Sequence, residues 1–136
     1  LASTATAAEC GAFVNRWFKL LAVGQFDQAC DLLDEVADSG EKWTPDRLRH
    51  AIEQDNFGPG TVHAANNPNG VTYSDPDSLP QRFAGDGVAI PFADGTGWSI
   101  WAAIPLNGEW SDLSACFEFR RTHSHVIVAL CDIHVL

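Results

Sequence analysis

Apolar residues recur every three or four positions through the first fifty residues and alternate with polar ones through the last forty. The first period is that of a helix with one buried face, the second that of a half-buried strand. Within "GAFVNRWFKLLAVG", Phe13, Trp17, Leu20 and Leu21 share a helical face, and Gly24 is a natural stop. "FDQACDLLDEVAD" sets Phe26, Ala29, Cys30, Leu33 and Ala37 along one stripe, with Asp27, Asp31, Asp34, Glu35 and Asp38 outside it. "TPDRLRHAIEQDN" opens with Thr44 as cap and Pro45 in the first turn, and Leu48 and Ile52 stand four apart. Two or three helices are expected over about residues 6–55.

From residue 56 to 97 the texture changes to turn chemistry: "NFGPG", "NNPNG", "DPDSLP", "GDG" and "ADGTG". Short strands are expected at "GVTY" and "GVAIPF", the second at a sheet edge because Pro91 lacks an N–H. Residues 98–136 read as a three-stranded meander, "WSIWAAIPL", "SDLSACFEFRR" and "HVIVALCDIHVL", turning at "NGEW" and "THS". Helices first and antiparallel strands afterwards predict a single α+β domain, with helices on one face of a curved, mainly antiparallel sheet.

Strand register decides what the polar residues near the C-terminus mean. Leu113, Ala115, Phe117 and Phe119 are apolar at odd positions of the second meander strand, as are Ile127, Ala129, Cys131, Ile133 and Val135 of the third. If both odd faces look at one core, the hairpin needs a three-residue loop, Thr122 to Ser124. Phe117 then lies opposite Ala129, Leu113 opposite Ile133, Asp112 opposite His134 and Ser114 opposite Asp132. The two-residue alternative sets Cys116 opposite Cys131, inviting a disulfide, but mismatches the apolar faces unless a bulge intervenes.

In the favoured register Asp112 and His134 form a cross-strand pair with Cβ atoms about 5 Å apart. A carboxylate beside an imidazole selects its tautomer and favours its charged form, so the catalytic candidates are Asp112 and His134. A sheet-face pair that merely pins register is the commoner meaning of such a juxtaposition. Neither Ser111 nor Ser114 sits in a nucleophile elbow. "HSH" and "DIH" stand too far apart along one strand to share an ion, so no metal and no cofactor is expected. Trp98, Trp101 and Trp110, with Asp132 and Glu118, are the candidate binding residues. Trp98 and Trp101, three apart, must point to opposite sides of a strand, so one of them lines an interface, a pocket wall or the underside of a loop.

The formal charge of −10 disfavours nucleic acid and suits a basic protein partner. No apolar run reaches the length of a membrane span. The four cysteines lack zinc-ribbon spacing and read as thiols of a cytoplasmic protein, with Cys10 and Cys30 on adjacent helices. "LASTATAAE" has the composition of a processed leader's tail or of an exposed N-terminus.

The segments "RWFKLLAVGQFDQACDLL", "TPDRLRHAI", "WSIW", "SDLSACFEF" and "DIHVL" together resemble a family of small uncharacterised bacterial α+β domains. Those domains carry leading helices, a Trp-led strand, an "SDL" strand and a terminal D-[IL]-H-V-L strand. The resemblance covers the chain outside the loop region and brings no catalytic residues with it. The layout also resembles, at the level of fold, the NTF2-like (cystatin-like) cone, whose members include dehydratases, isomerases and non-enzymatic binders.

Two roles follow. The first is a non-enzymatic protein-binding domain, of the immunity type that neutralises a toxin partner. The second is an NTF2-like small-molecule binder or enzyme with Asp112 and His134 in a pocket, which requires a concave cavity holding at least one of the two. A homodimer through an open sheet face carrying Val128 and Leu130 is a third arrangement.

Overall fold

The computed structural model describes residues 1–34, 42–55 and 71–135, and within them the first and third helices begin where the sequence supplies a side-chain cap. Helix α1 spans Ala7–Ala22, and Thr6 accepts the Glu9 backbone N–H at 3.2 Å. Its inward stripe is Cys10, Phe13, Val14, Trp17, Phe18 and Leu21, and Gly24 ends it with φ of 79°. Helix α2 is Phe26–Asp31 and buries Phe26, Ala29 and Cys30. Helix α3, Pro45–His50, has Thr44 accepting from the Arg47 N–H at 3.2 Å, then widens into a π-helical turn over Ala51–Asp55. The expected helical stripe stops short, since Leu33 is buried but lies past the end of α2; Ala37 and the loop motifs "NFGPG" and "NNPNG" lie outside the described residues.

Four antiparallel strands make one sheet in the order β1-β2-β3-β4: Ala89–Pro91, Gly97–Leu106, Glu109–Arg121 and Val126–Val135. The last three are the expected meander, and β1, with its proline, occupies the edge. Asn107 and Gly108 adopt φ of 55° and 80°, the left-handed pair that a tight "NG" hairpin turn needs. Of the expected "GVTY" strand, Tyr73 makes an isolated bridge to Leu106.

The helices cover one face of this sheet, which makes an α+β fold. Ile100, Ala102, Ile104, Leu113, Ala115, Phe117 and Phe119 are all fully buried on that face. Phe117 is the hub: Trp17 meets it edge-on at 5.2 Å, and Phe13 and Phe18 each at 6.5 Å. Each such ring pair adds about 0.5–1.5 kcal/mol beyond area burial. Backbones approach closely at Gly97, where a Cβ would lie 1.8 Å from the Phe119 carbonyl oxygen.

The hairpin between β3 and β4 departs from the expected register. Arg121 pairs with Val126 and Phe117 with Leu130, the ladder of the two-residue loop. At Cys131 an extra residue enters, after which Cys116 pairs with Asp132, Ala115 with Ile133 and Ser114 with His134. The cause is legible in burial. Val126, Val128 and Leu130 carry more apolar volume than Ile127 and Ala129 and take the core face, fully buried. The bulge then reverses parity, so that Ile133 also points inward. No regular ladder satisfies Leu130 and Ile133 together, since they are an odd number of residues apart. All four cysteines are free thiols, and the bulge keeps Cys131 out of register with Cys116.

Candidate functional site

Strand β4 is the sheet's second edge, and its exposed side is tied down by side chains. Asp34 bonds Val128 twice, its N–H donating to the Val128 carbonyl at 2.8 Å and its carboxylate accepting the Val128 N–H at 2.9 Å. The Trp43 indole N–H donates to the Leu130 carbonyl at 2.8 Å and is buried there. Thr44, as helix cap, launches α3 one residue later, so the Trp43 bond fixes α3 against the strand just before the bulge. The far side of α3 is held by Tyr73, whose hydroxyl donates to Glu53 at 2.8 Å, and by the Arg49–Glu53 ion pair at 3.1 Å. Burial, then the Glu53 carboxylate, push the Tyr73 phenol above its ordinary range.

Between α3 and the post-bulge end of β4 lies a cleft of about 580 Å³. Its described lining is Trp43, Asp46, Arg47, His50, Ala51, Asp132, Ile133 and His134. The volume falls within the roughly 300–1,000 Å³ typical of small-ligand sites. Asp132 organises the strand wall with both carboxylate oxygens: one accepts the Ile133 N–H at 2.8 Å and the other bonds His134 Nδ1. The Trp101 indole meets the His134 ring edge-on at 5.0 Å. On the helix wall, the Arg47 guanidinium stacks over Trp43 at 5.0 Å and donates to the Lys42 carbonyl at 3.0 Å. Such an arrangement can hold a polar ligand between two orienting side chains, and an imidazole whose Nδ1 is engaged by a carboxylate can accept a proton at Nε2.

The candidate residues separate accordingly. His134 and Asp132 share the cleft wall, and Trp101 supports His134. Asp112 is not the partner of His134: Ser114 stands opposite that histidine, because bulge and turn together displace the register by two residues. Asp132 takes the orienting role that the expected register gave to Asp112. Glu118 lies elsewhere on the sheet, 3.4 Å from Arg120, beside a shallow groove with Phe92, Asp94 and Thr96. Trp98 does point opposite to Trp101, packs partly into the core and lies beneath the Arg121 guanidinium at 5.0 Å. Trp110 is buried, donates to the Pro80 carbonyl at 2.7 Å and is covered by Arg82 at 4.2 Å. It anchors the 80–86 segment, which Asp86 completes by pairing with Arg82 at 3.0 Å and accepting the Ala103 N–H at 2.8 Å.

Val128 and Leu130 face the core, which removes them from the open face proposed for a homodimer. Sequence reasoning did not place Trp43, Asp46 or Arg47 in a site; the signal available was the run of Lys42, Arg47, Arg49 and His50 in an otherwise acidic chain. Among the described residues no three His, Cys, Asp or Glu side chains are grouped to hold a metal ion, and no helix is long and apolar enough to cross a membrane. No family model, curated protein or solved structure matches this chain.

Proposed function

We propose that this chain is a small-molecule-binding domain whose site is the α3–β4 cleft, with His134 as its proton-accepting or hydrogen-bonding group and Asp132 as the residue that orients it. The observation that carries the reading is the placement of a carboxylate-held imidazole on the wall of a cleft large enough for a ligand. Register pinning alone gives no reason for the pair to line a concavity. The pairing also engages Nδ1 and so reserves Nε2 for a ligand. A fragment library followed by amide and indole ¹⁵N–¹H spectra tests it. Hits that shift residues 46–51, 132–134 and the Trp43 indole, and that are lost in His134→Ala, support the reading. Hits scattered over the surface, or none, refute it.

A protein-binding role, of which the immunity type expected from the sequence is one case, is favoured by a separate observation. Phe83, Val88 and Ile90 are 65%, 52% and 56% exposed at and before the short edge strand β1. Exposed apolar patches mark interaction surfaces, and these three side chains stand within eight consecutive residues. Under this second reading, a partner isolated from the native source cross-links near residues 83–90 and is lost when Val88 and Ile90 are both changed to Lys. Cross-linking that persists in that variant refutes it.

A further inference from the structure

In a chain with 18 carboxylate side chains against 8 Lys and Arg, the distribution of positive charge carries information. Three of those eight, Lys42, Arg47 and Arg49, fall within eight consecutive residues, and His50 follows them. Two of the four, Arg47 and His50, line the α3–β4 cleft, and His134 lines it from β4. Arg47 and His134 are each backed by an indole, Trp43 at 5.0 Å and Trp101 at 5.0 Å, which limits the freedom of both heads. Of the two carboxylates on the lining, Asp132 is already engaged by His134 and by the Ile133 N–H. Asp46 is exposed in the first turn of α3. The remaining lining is apolar: Ala51, Ile133 and the edge of the Trp43 ring.

We infer that the ligand of this cleft is a small organic monocarboxylate with an apolar body, its carboxylate held between the Arg47 guanidinium and the His50 imidazole. The assignment rests on the ligand-binding reading above and narrows it. A guanidinium presents a fork matched to a planar carboxylate, and an imidazole N–H adds a donor from the side. A dianionic phosphate is drawn to these donors more strongly than a monoanion is, but it is also repelled more strongly by the two carboxylates on the same lining, Asp46 and Asp132. A monoanion meets half that repulsion. Its apolar body takes the place of water against Ala51 and Ile133, which inorganic phosphate cannot do.

The test uses the full chain and three probes of known composition: benzoate, its neutral analogue benzyl alcohol, and inorganic phosphate. Each is titrated while the Trp43 indole N–H and the amides of residues 46–51 and 132–134 are followed by NMR. Benzoate is expected to give saturable shifts there, with benzyl alcohol at least about tenfold weaker, the factor that about 1.4 kcal/mol of charge-assisted hydrogen bonding supplies. Phosphate is expected to bind less tightly than benzoate. Arg47→Lys keeps the charge and loses the fork, and should weaken benzoate severalfold or more. His50→Gln, at an exposed helix position that leaves the core untouched, should weaken it too. Benzyl alcohol binding as well as benzoate, or benzoate affinity unchanged in both variants, overturns the carboxylate assignment and leaves the binding cleft standing. Phosphate binding more tightly than benzoate overturns the monocarboxylate class. Failure of all three probes to move these residues overturns the inference, and the binding reading falls with it only when the fragment library also finds nothing in the cleft.

Discussion

Two single-residue deletions in β4 separate the bulge from any other arrangement of the last strand. Deleting Cys131 removes the unpaired residue and leaves every cross-strand pair as it is, from Arg121–Val126 to Leu113–Val135. Deleting Ala129 instead shifts Leu130 opposite Glu118, on the outer face, and slides Cys131 into the core position opposite Phe117. The second deletion replaces a fully buried leucine with a smaller thiol against an aromatic hub and turns the leucine toward solvent. Loss of a buried Leu side chain costs about 2–5 kcal/mol, and the thiol recovers part of it. The Leu130 carbonyl also leaves the Trp43 indole N–H, worth about 1 kcal/mol and more if the buried donor stays unpaired. A net loss of about 3–4 kcal/mol is expected for the Ala129 deletion, against about 1 kcal/mol or less for the Cys131 deletion, whose side chain is half-buried. With a urea m-value of about 2 kcal/mol/M, the two variants should differ by about 1 M or more in midpoint. Equal midpoints, or a less stable Cys131 deletion, would refute the bulge and the placement of Asp132 and His134 that depends on it.

Three further outcomes follow from the packing. Gly97→Ala should lower stability by about 2–4 kcal/mol in urea melts, because its Cβ meets the Phe119 carbonyl and must open the β2–β3 ladder; an unchanged midpoint contradicts the close approach. Asp86→Ala removes the Arg82 partner and leaves the Ala103 N–H unanswered, at a cost of about 1–3 kcal/mol, and should increase protease cleavage within residues 80–88. Cys10 and Cys30 are both pushed from 9.0 to about 11, chiefly by burial and then by neighbouring carboxylates, Glu9 for the first and Asp31 and Asp27 for the second. A thiol whose folded pKa is raised contributes stability that is whole below pH 9 and lost as pH rises through 11, on the order of 2 kcal/mol each. Urea midpoints should therefore fall between pH 9 and 11, and the fall should shrink in the Cys10→Ala, Cys30→Ala double variant; a decline of the same depth contradicts it.

The helices were legible because each carries a single apolar stripe, and the first and third also carry a cap that acts locally, Thr6 and Thr44. The second and third meander strands differed in legibility for a physical reason. In β3 the even positions are polar enough that Leu113, Ala115, Phe117 and Phe119 leave one choice of face. In β4 both faces are apolar through residue 131, so periodicity offered two registers, and neither regular one was adopted. What decided between them lies outside the strand: the aromatic cluster around Phe117 accommodates Leu130, and Trp43 holds that residue's carbonyl from 87 positions away. His134 and Asp132 were therefore recognised as candidates while the geometry joining them was not. Contact between Asp132 and His134, two residues apart on one face of a strand, was available from spacing alone.

The tautomer of His134 tests this most directly. Long-range ¹⁵N–¹H correlation, at a pH where the ring is neutral, should find the proton on Nδ1, shared with Asp132, and a bare Nε2, with that preference lost in Asp132→Ala. A ring protonated at Nε2, unchanged by removal of the Asp132 carboxylate, would contradict the account.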